Sequence, residues 1–89
     1  MIRQPVTIIN KLGLHARAAA KLVATASEFE SNIQIVKEDR KVDAKAIMPV
    51  MMLAASKGTE IELVISGADE DQALDKLLEL INDYFGEGE

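Results

Sequence analysis

The chain has 89 residues, of which 48% are hydrophobic, and its formal net charge is -5. This length suits one domain, and the hydrophobic fraction is that of a globular protein and excludes a disordered one. The acidic balance argues against general nucleic-acid binding, because the phosphates of nucleic acids repel an acidic surface. There is no cysteine for a disulfide, and no apolar run approaches the roughly 20 residues of a membrane span. We expect a single cytoplasmic domain over residues 1–89, and a monomer.

The charges are unevenly distributed along the chain. Residues 1–27 contain four basic residues and no acidic one, whereas residues 28–89 contain all 15 acidic residues and six basic ones. The only histidine, His15, lies in the basic third. An anion or an acidic partner would be drawn to this part of the chain. A solvated charge pattern without a role is the alternative reading of the same distribution.

The first elements are a strand, a turn and a helix. Residues 5–9 are mostly β-branched and predict a strand, which ends in the turn-forming residues 10–13. From Ala16 onwards the sequence consists largely of helix formers. Apolar residues with the spacing of one buried helix face follow, namely Ala19, Leu22, Val23 and Ala26.

A hairpin and a short helix occupy the middle of the chain. Residues 31–36 alternate between apolar and polar side chains, as a half-buried strand does, and residues 41–43 form a short returning strand. The compact apolar run at residues 47–55 predicts a short helix closed by Gly58. Val50 and Leu53 are expected to face inward.

The last elements are a strand and a helix. Residues 59–66 alternate cleanly, and the helix that follows is expected to have Asp69 as its N-cap and Gln72 at the capping-box position. Its apolar stripe is expected to extend through Tyr84 and Phe85, with Gly86 as the C-cap. The order βαββαβα predicts an α+β fold with an antiparallel sheet covered by helices on one side.

The residues with the clearest chemical potential surround His15. This histidine stands where a glycine-containing turn meets a helix N-terminus, so free backbone N–H groups and the positive end of the helix dipole form an anion site. A neutral imidazole is a nucleophile, and Arg17 could reach the oxygens of a bound phosphoryl group. A surface or capping histidine without chemistry fits the same position. A metal site or a catalytic triad is not expected, because His15 has no second histidine, cysteine or suitable serine beside it.

The segment NKLGLHARAAAKLVATAS closely resembles the active-site signature of HPr, the histidine-containing phosphocarrier family of the bacterial phosphotransferase system. The segments DAKAIMPVMMLAASKG and GADEDQALDKLLELI also match, in the family's order and spacing. The resemblance implies an open-faced β-sandwich with three helices over a four-stranded antiparallel sheet. It implies that His15 is phosphorylated on Nδ1 and that Ala16 and Arg17 bind the phosphoryl group. The donor would be an enzyme I charged from phosphoenolpyruvate, the acceptor an enzyme IIA-type protein, and no cofactor or metal is expected.

The resemblance also implies a docking surface beside His15. It would consist of Ala20, Lys21, Ile47, Met48 and Met51. Flexible methionines adapt to several partners, which a carrier with a donor and an acceptor needs. Large apolar residues on a short helix are otherwise usually core, so a core position stays open for the three apolar residues of this helix.

Two features distinguish this chain within the family. Many members carry at position 46 a serine that a regulatory kinase phosphorylates, whereas this chain has Ala46 and therefore no such switch. The run VMMLAASKGT and the acidic FGEGE tail are more similar to the nitrogen-related branch (NPr) than to a sugar-branch HPr. Both branches stay open.

Two other classes of function compete with the carrier. A small-molecule regulatory domain would have an enclosed pocket and gives no reason for the sequence His15-Ala16-Arg17. A homologue that has lost transfer and only binds regulators would not need an intact His15 and Arg17. A carrier would form a covalent phosphohistidine and relay it, without being a self-sufficient enzyme.

Overall fold

The computed structural model describes all residues, 1–89, and contains one four-stranded sheet and three α-helices. The predicted α+β order is confirmed. The strands are β1 (Ile2–Thr7), β2 (Asn32–Lys37), β3 (Arg40–Asp43) and β4 (Glu60–Ser66). The helices are α1 (Ala16–Ala26), α2 (Ile47–Met52) and α3 (Glu70–Asn82), followed by a short 3₁₀ turn at Tyr84–Gly86. None of these helices combines the length and the apolar character that crossing a membrane requires.

The sheet has the order β1-β4-β2-β3, and all neighbouring strands are antiparallel. Strand β4 lies between β1 and β2, with Ile61 opposite Val6 and Leu63 opposite Ile35. These side chains are buried, because alternate residues of each strand face the helices. The helices contribute their predicted stripes, including Leu22 of α1, to a core of 20 buried residues.

The first strand begins earlier than the sequence predicts. We expected residues 5–9, but β1 covers Ile2–Thr7 and has Pro5 in its interior. The order of the sheet makes β1 an edge strand. Proline is tolerated there, because the N–H that it lacks is not needed for a neighbour on the open side.

The short helix α2 is also shorter than its apolar run. It ends at Met52 instead of extending to residue 55, and Ala54 has a positive φ of 53°. The chain turns here because Ala55 is buried and its carbonyl accepts a hydrogen bond from Leu14. Gly58 therefore lies in the turn before β4 and does not close the helix. Val50 and Leu53 face inward as predicted, and both are fully buried.

The last helix differs from its prediction at both ends. Asp69 stands at the N-cap position of α3 but makes no side-chain hydrogen bond to its own helix. Its carboxylate instead accepts hydrogen bonds from the backbone N–H groups of Glu30 and Ser31 and from the Ser31 hydroxyl. At the other end α3 stops at Asn82, and both residues 84 and 85 adopt positive φ, so that Phe85 turns inward and is fully buried.

Candidate functional site

The loop that precedes α1 is held tightly against the turn between α2 and β4. Gly13 has a φ of +65°, and a Cβ at this position would lie 2.5 Å from the carbonyl oxygen of Ala55. Leu14 is buried and donates its backbone N–H to the same carbonyl at 2.8 Å. Only glycine fits at position 13, for its conformation and for the close approach of the two chains. The loop therefore places His15 rigidly at the start of α1.

His15 is the N-cap residue of α1, as the sequence predicts. Its carbonyl accepts the first helical hydrogen bond, from the N–H of Ala19 at 2.8 Å. The N–H groups of Ala16, Arg17 and Ala18 have no backbone partner, and no side chain caps the helix. No acidic residue lies in the first turn. Free donors and the helix dipole therefore favour an anion beside the histidine.

An open cleft of about 710 Å³ lies over this helix terminus. Its lining is mostly polar and charged and comprises Lys11, Leu12, His15, Ala16, Arg17, Lys21, Gly86, Glu87 and Glu89. The guanidinium of Arg17 makes no hydrogen bond or ion pair within the protein, and its side chain is exposed. It is available for an incoming anion. The cleft lacks the enclosed, apolar form that a small-molecule pocket requires.

The acidic end of the chain reaches this cleft, which the sequence analysis missed. The Glu87 carboxylate contacts Nε2 of His15 through Oε2 and accepts a hydrogen bond from Nδ2 of Asn10 at 3.0 Å through Oε1. In the folded protein, carboxylates of the C-terminal tail therefore offset part of the positive charge of residues 1–27. The contact joins residues 72 positions apart, and the only sequence signal was Phe85, an apolar residue close to the chain end.

The Glu87 carboxyl is held in its ionised form. Its pKa is lowered from the usual 4.5, first by the hydrogen bond from Asn10 and then by the hydrogen bond and charge of His15, while burial acts in the opposite direction. The positive charge of Lys21 adds to the lowering. The carboxyl group is therefore ionised at neutral pH, where it accepts hydrogen bonds and donates none.

Of the residues predicted for docking, two on α1 border the histidine. Ala20 is exposed, and Lys21 lines the cleft. The ammonium of Lys21 donates a hydrogen bond to the carbonyl of Phe85 at 2.6 Å. Lys21 therefore has a structural contact to the C-terminal tail, in addition to any role toward a partner.

The predicted docking residues of α2 differ in exposure. Ile47 is 37% exposed and Met48 60% exposed, whereas Met51 is half-buried and packs against the core. Met51 is therefore partly a core residue, whereas Ile47 and Met48 are on the surface. Two exposed apolar side chains were not predicted for this surface, Met52 at 61% and Leu12 at 66%. Leu12 lines the same cleft as His15.

Position 46 lies directly before α2. Ala46 is the N-cap of α2, with extended backbone angles, and its methyl group cannot cap the helix. Pro49 is the third residue of α2, so its missing N–H falls in the first turn, where no intrahelical partner exists. Elsewhere, no three histidine, cysteine or acidic side chains are grouped so that they could hold a metal ion.

Comparison with known proteins resolves the class of this site. A family model described as the PTS HPr component phosphorylation site matches residues 2–83. The chain belongs to the HPr family. The phosphocarrier protein HPr of Neisseria meningitidis is 57% identical over 89 residues, and that of Cupriavidus necator 54% identical, each alignment covering the whole of both chains. The crystal structure of HPr from Thermoanaerobacter tengcongensis superimposes with a TM-score of 0.94 at 46% identity, covering 98% of each chain.

Family membership establishes the general function and the architecture. The protein is a phosphocarrier of the phosphotransferase system and not an enzyme in the ordinary sense. The predicted sheet with three helices is that of HPr structures. The relatives bear the name HPr without a branch, so the likeness to the nitrogen-related branch stays a prediction.

Proposed function

We propose that His15 is the residue that carries the phosphoryl group, bound covalently at Nδ1. The supporting observation is the position of His15 at an uncapped helix N-terminus, where it is the only histidine of the chain. Its Nε2 contacts Glu87, whereas Nδ1 makes no hydrogen bond with the protein. The nitrogen without a partner is the one available for attack on phosphorus.

Arg17 and the backbone N–H of Ala16 hold the transferred group. A phosphoryl group gains charge-assisted hydrogen bonds from a guanidinium, and free N–H groups at a helix terminus bind the remaining oxygens. Arg17 has no competing partner inside the protein. The donor is an enzyme I charged from phosphoenolpyruvate, and the acceptor is an enzyme IIA-type protein, of the sugar or the nitrogen-related branch.

Both partners dock on the surface beside the cleft. Ala20 and Lys21 of α1 and Ile47 and Met48 of α2 form this surface, since α1 and α2 pack against each other and these residues are exposed. Met51 supports it from below as a half-buried residue. The protein acts in the cytoplasm as a monomer.

The deciding experiment measures intact mass after incubation with enzyme I and phosphoenolpyruvate. The wild-type protein gains one phosphoryl group, which is lost in acid and stable in base, as expected for phosphohistidine. His15→Ala gains none, while circular dichroism shows that it remains folded. An acid-stable group, or phosphorylation of a folded His15→Ala protein, would contradict the assignment.

A further inference from the structure

The C-terminal tail contributes a carboxylate to the phosphorylation site. Glu87 contacts Nε2 of His15 with one oxygen and receives a hydrogen bond from Asn10 with the other. Its side chain is only 14% exposed, and that of His15 is 28% exposed. Because both oxygens have fixed partners, the carboxylate has a defined orientation toward the imidazole ring.

The residues around Glu87 hold the tail in this position. Asn10 is fully buried, and the same amide nitrogen also donates to the carbonyl of Gly13 at 2.8 Å, which joins the tail to the loop before α1. On the N-terminal side, Phe85 is buried and its carbonyl accepts a hydrogen bond from Lys21 at 2.6 Å. On the C-terminal side, the backbone N–H of Lys11 donates to the carbonyl of Glu89 at 3.0 Å. The tail is anchored on both sides of Glu87.

We infer that Glu87 is a positioning residue for phosphoryl transfer: its carboxylate holds the proton of His15 on Nε2, so that Nδ1 keeps the free lone pair. This inference rests on the proposed function of His15. A carboxylate can only accept a hydrogen bond, so a bonded Nε2 must carry the proton. In the neutral ring the other nitrogen is then unprotonated. The hydrogen bond therefore selects the nitrogen that attacks and orients the ring.

The same contact also stabilises the ring after it has been phosphorylated. The Nδ1 lone pair forms a bond to phosphorus while the bond from phosphorus to the donor breaks, and that electron pair leaves with the donor. The ring then bears the phosphoryl group on Nδ1 and the proton on Nε2, so it is a cation beside the Glu87 anion. On discharge a nucleophile of the acceptor protein forms a bond to phosphorus while the Nδ1–phosphorus bond breaks. The phosphoryl group passes to the acceptor, the electron pair returns to Nδ1, and the imidazole is neutral again. The proton stays on Nε2 throughout, so no proton transfer is needed.

A competing role of the tail makes the opposite prediction. Glu87 and Glu89 bring negative charge into a cleft that must admit a phosphoryl group. If the tail merely obstructed the cleft, removal of the Glu87 carboxylate would accelerate charging. The two roles are therefore separated by the sign of the change in rate.

The test compares Glu87→Ala and Glu87→Gln with the wild-type protein. Glu79→Gln is the matched control, because it removes one negative charge from an exposed glutamate of α3 that makes no side-chain hydrogen bond or ion pair. One readout is the nitrogen-15 and proton spectrum of His15 in the uncharged protein, which reports the protonated nitrogen and its hydrogen bond. The second is the rate of phosphoryl transfer from enzyme I and onward to an acceptor.

In the wild-type and Glu79→Gln proteins we expect a hydrogen-bonded, slowly exchanging Nε2–H. Glu87→Ala should lose this signal and transfer roughly tenfold more slowly or worse, which is the usual cost of removing the carboxylate partner of a functional histidine at metal sites. Glu87→Gln should be intermediate, since its amide oxygen still accepts a hydrogen bond but carries no charge.

Each outcome bears on one of the two proposals. Transfer in Glu87→Ala at the wild-type rate or faster, or an unchanged Nε2–H signal, would overturn the positioning role. Mass measurement still shows one phosphoryl group on each Glu87 variant if His15 is the carrier residue. A wild-type protein that accepts no phosphoryl group would instead overturn the proposed function, and the spectrum of uncharged His15 would still test the contact with Glu87.

Discussion

The N-termini of α1 and α3 have opposite arrangements of charge. Helix α1 begins at His15 with no acidic residue in its first turn, and its free N–H groups border an open cleft. Helix α3 begins at Asp69 with two acidic residues, Glu70 and Asp71, in its first turn. Acidic side chains complement the positive end of the helix dipole. The acidic side chains of α3 thus complement its own dipole, whereas the free N–H groups of α1 are left for an anion brought from outside.

The acids near each terminus also serve different purposes. Asp69 binds Ser31 and Glu30 and so ties the segment before β2 to the start of α3. Glu87 reaches the start of α1 from the other end of the sequence and contacts the histidine. One carboxylate stabilises the fold, and the other contacts the ring that we propose as the carrier of the phosphoryl group. Variants at each terminus should therefore separate stability from transfer.

The largest effect is expected for Arg17→Ala at the start of α1. Loss of a preorganised cationic donor typically removes roughly 2–4 kcal/mol of transition-state stabilisation, which corresponds to a rate about 30- to 1,000-fold lower. Transfer from enzyme I and to an acceptor should both slow, because the same guanidinium serves both steps. Stopped-flow or quench-flow transfer rates measure this.

The control for Arg17→Ala is Arg40→Ala, which removes an exposed arginine at the start of β3 that does not line the cleft. It should transfer at the wild-type rate. Equal rates for all three proteins would show that Arg17 contributes only surface charge.

The next variant, Asp69→Asn, should change stability and leave transfer intact. The hydrogen bonds from Ser31 and Glu30 lower the pKa of Asp69 from its usual 3.8. A carboxyl with a lowered folded-state pKa stabilises the fold above its usual pKa and loses this contribution as the pH falls through the folded-state value. Asp69→Asn should therefore melt at a lower temperature at pH 7, and its stability should fall less steeply below about pH 4.

Asp75→Asn is the matched control for this measurement, because Asp75 is exposed in α3 beyond its first turn and makes no side-chain hydrogen bond or ion pair. The melting temperature of this control should stay close to that of the wild-type protein at each pH. A slower phosphoryl transfer in Asp69→Asn would contradict the division between the two helix termini.

The sequence predicted the elements of this fold better than their ends. Alternation located β2 and β4, and the apolar spacing located α1, because burial on one face imposes these periods. The end of α3 could not be predicted, since Phe85 leaves the helical stripe to fill a place in the core that only the folded chain creates. Asp69 was expected to cap its own helix, but a tertiary partner competes for its carboxylate.

The candidate site was predicted in the same uneven way. His15 and Arg17 are two positions apart and belong to one local motif, so the sequence alone was sufficient to propose them together. Glu87 is distant in sequence and resembled an acidic tail, because nothing local indicates that the chain end folds back. The exposure of Met48 and the partial burial of Met51 likewise depend on how α2 packs against α1 and the core.

A charge introduced on the proposed docking surface of α2 should impair docking, whereas the same charge at the start of α3 should not. Met48→Glu places a negative charge on an exposed side chain of α2 and should weaken binding of enzyme I about tenfold, as loss of a contributing interface residue does. Gln72→Glu adds the same charge on the exposed side of α3 and should have little effect.

For both variants, titration calorimetry measures the affinity for enzyme I and melting curves measure the stability of the fold. An unfolded Met48→Glu protein would indicate that this methionine belongs to the core. Equal affinities for both variants would show that partners do not dock on α2.

The smallest effect concerns the third helix N-terminus, that of α2. Ala46 occupies the N-cap position in extended backbone conformation and cannot bond a free N–H of the first turn. A serine hydroxyl can make this bond, and its presence instead of alanine is typically worth about 1 kcal/mol. Pro49 leaves the N–H of Met48 as the donor within reach, since position 49 has none. Ala46→Ser should therefore stabilise the protein by a few tenths to roughly 1 kcal/mol.

A serine inside a helix is the control for Ala46→Ser, because it should change stability in the opposite direction. Ala24→Ser places the same side chain at an exposed position inside α1, where serine is a poorer helix former than alanine and costs a few tenths of a kcal/mol. The melting temperature should thus rise for the variant at position 46 and fall for the one at position 24.

The hydroxyl at position 46 would also be a target for phosphorylation beside Ile47 and Met48, and a nearly dianionic group there should hinder an acidic partner. Ala46→Asp, which imitates part of that charge, should therefore be charged by enzyme I more slowly than the parent. Lower stability of Ala46→Ser together with a parental rate for Ala46→Asp would show that position 46 is neither a cap nor part of the interface.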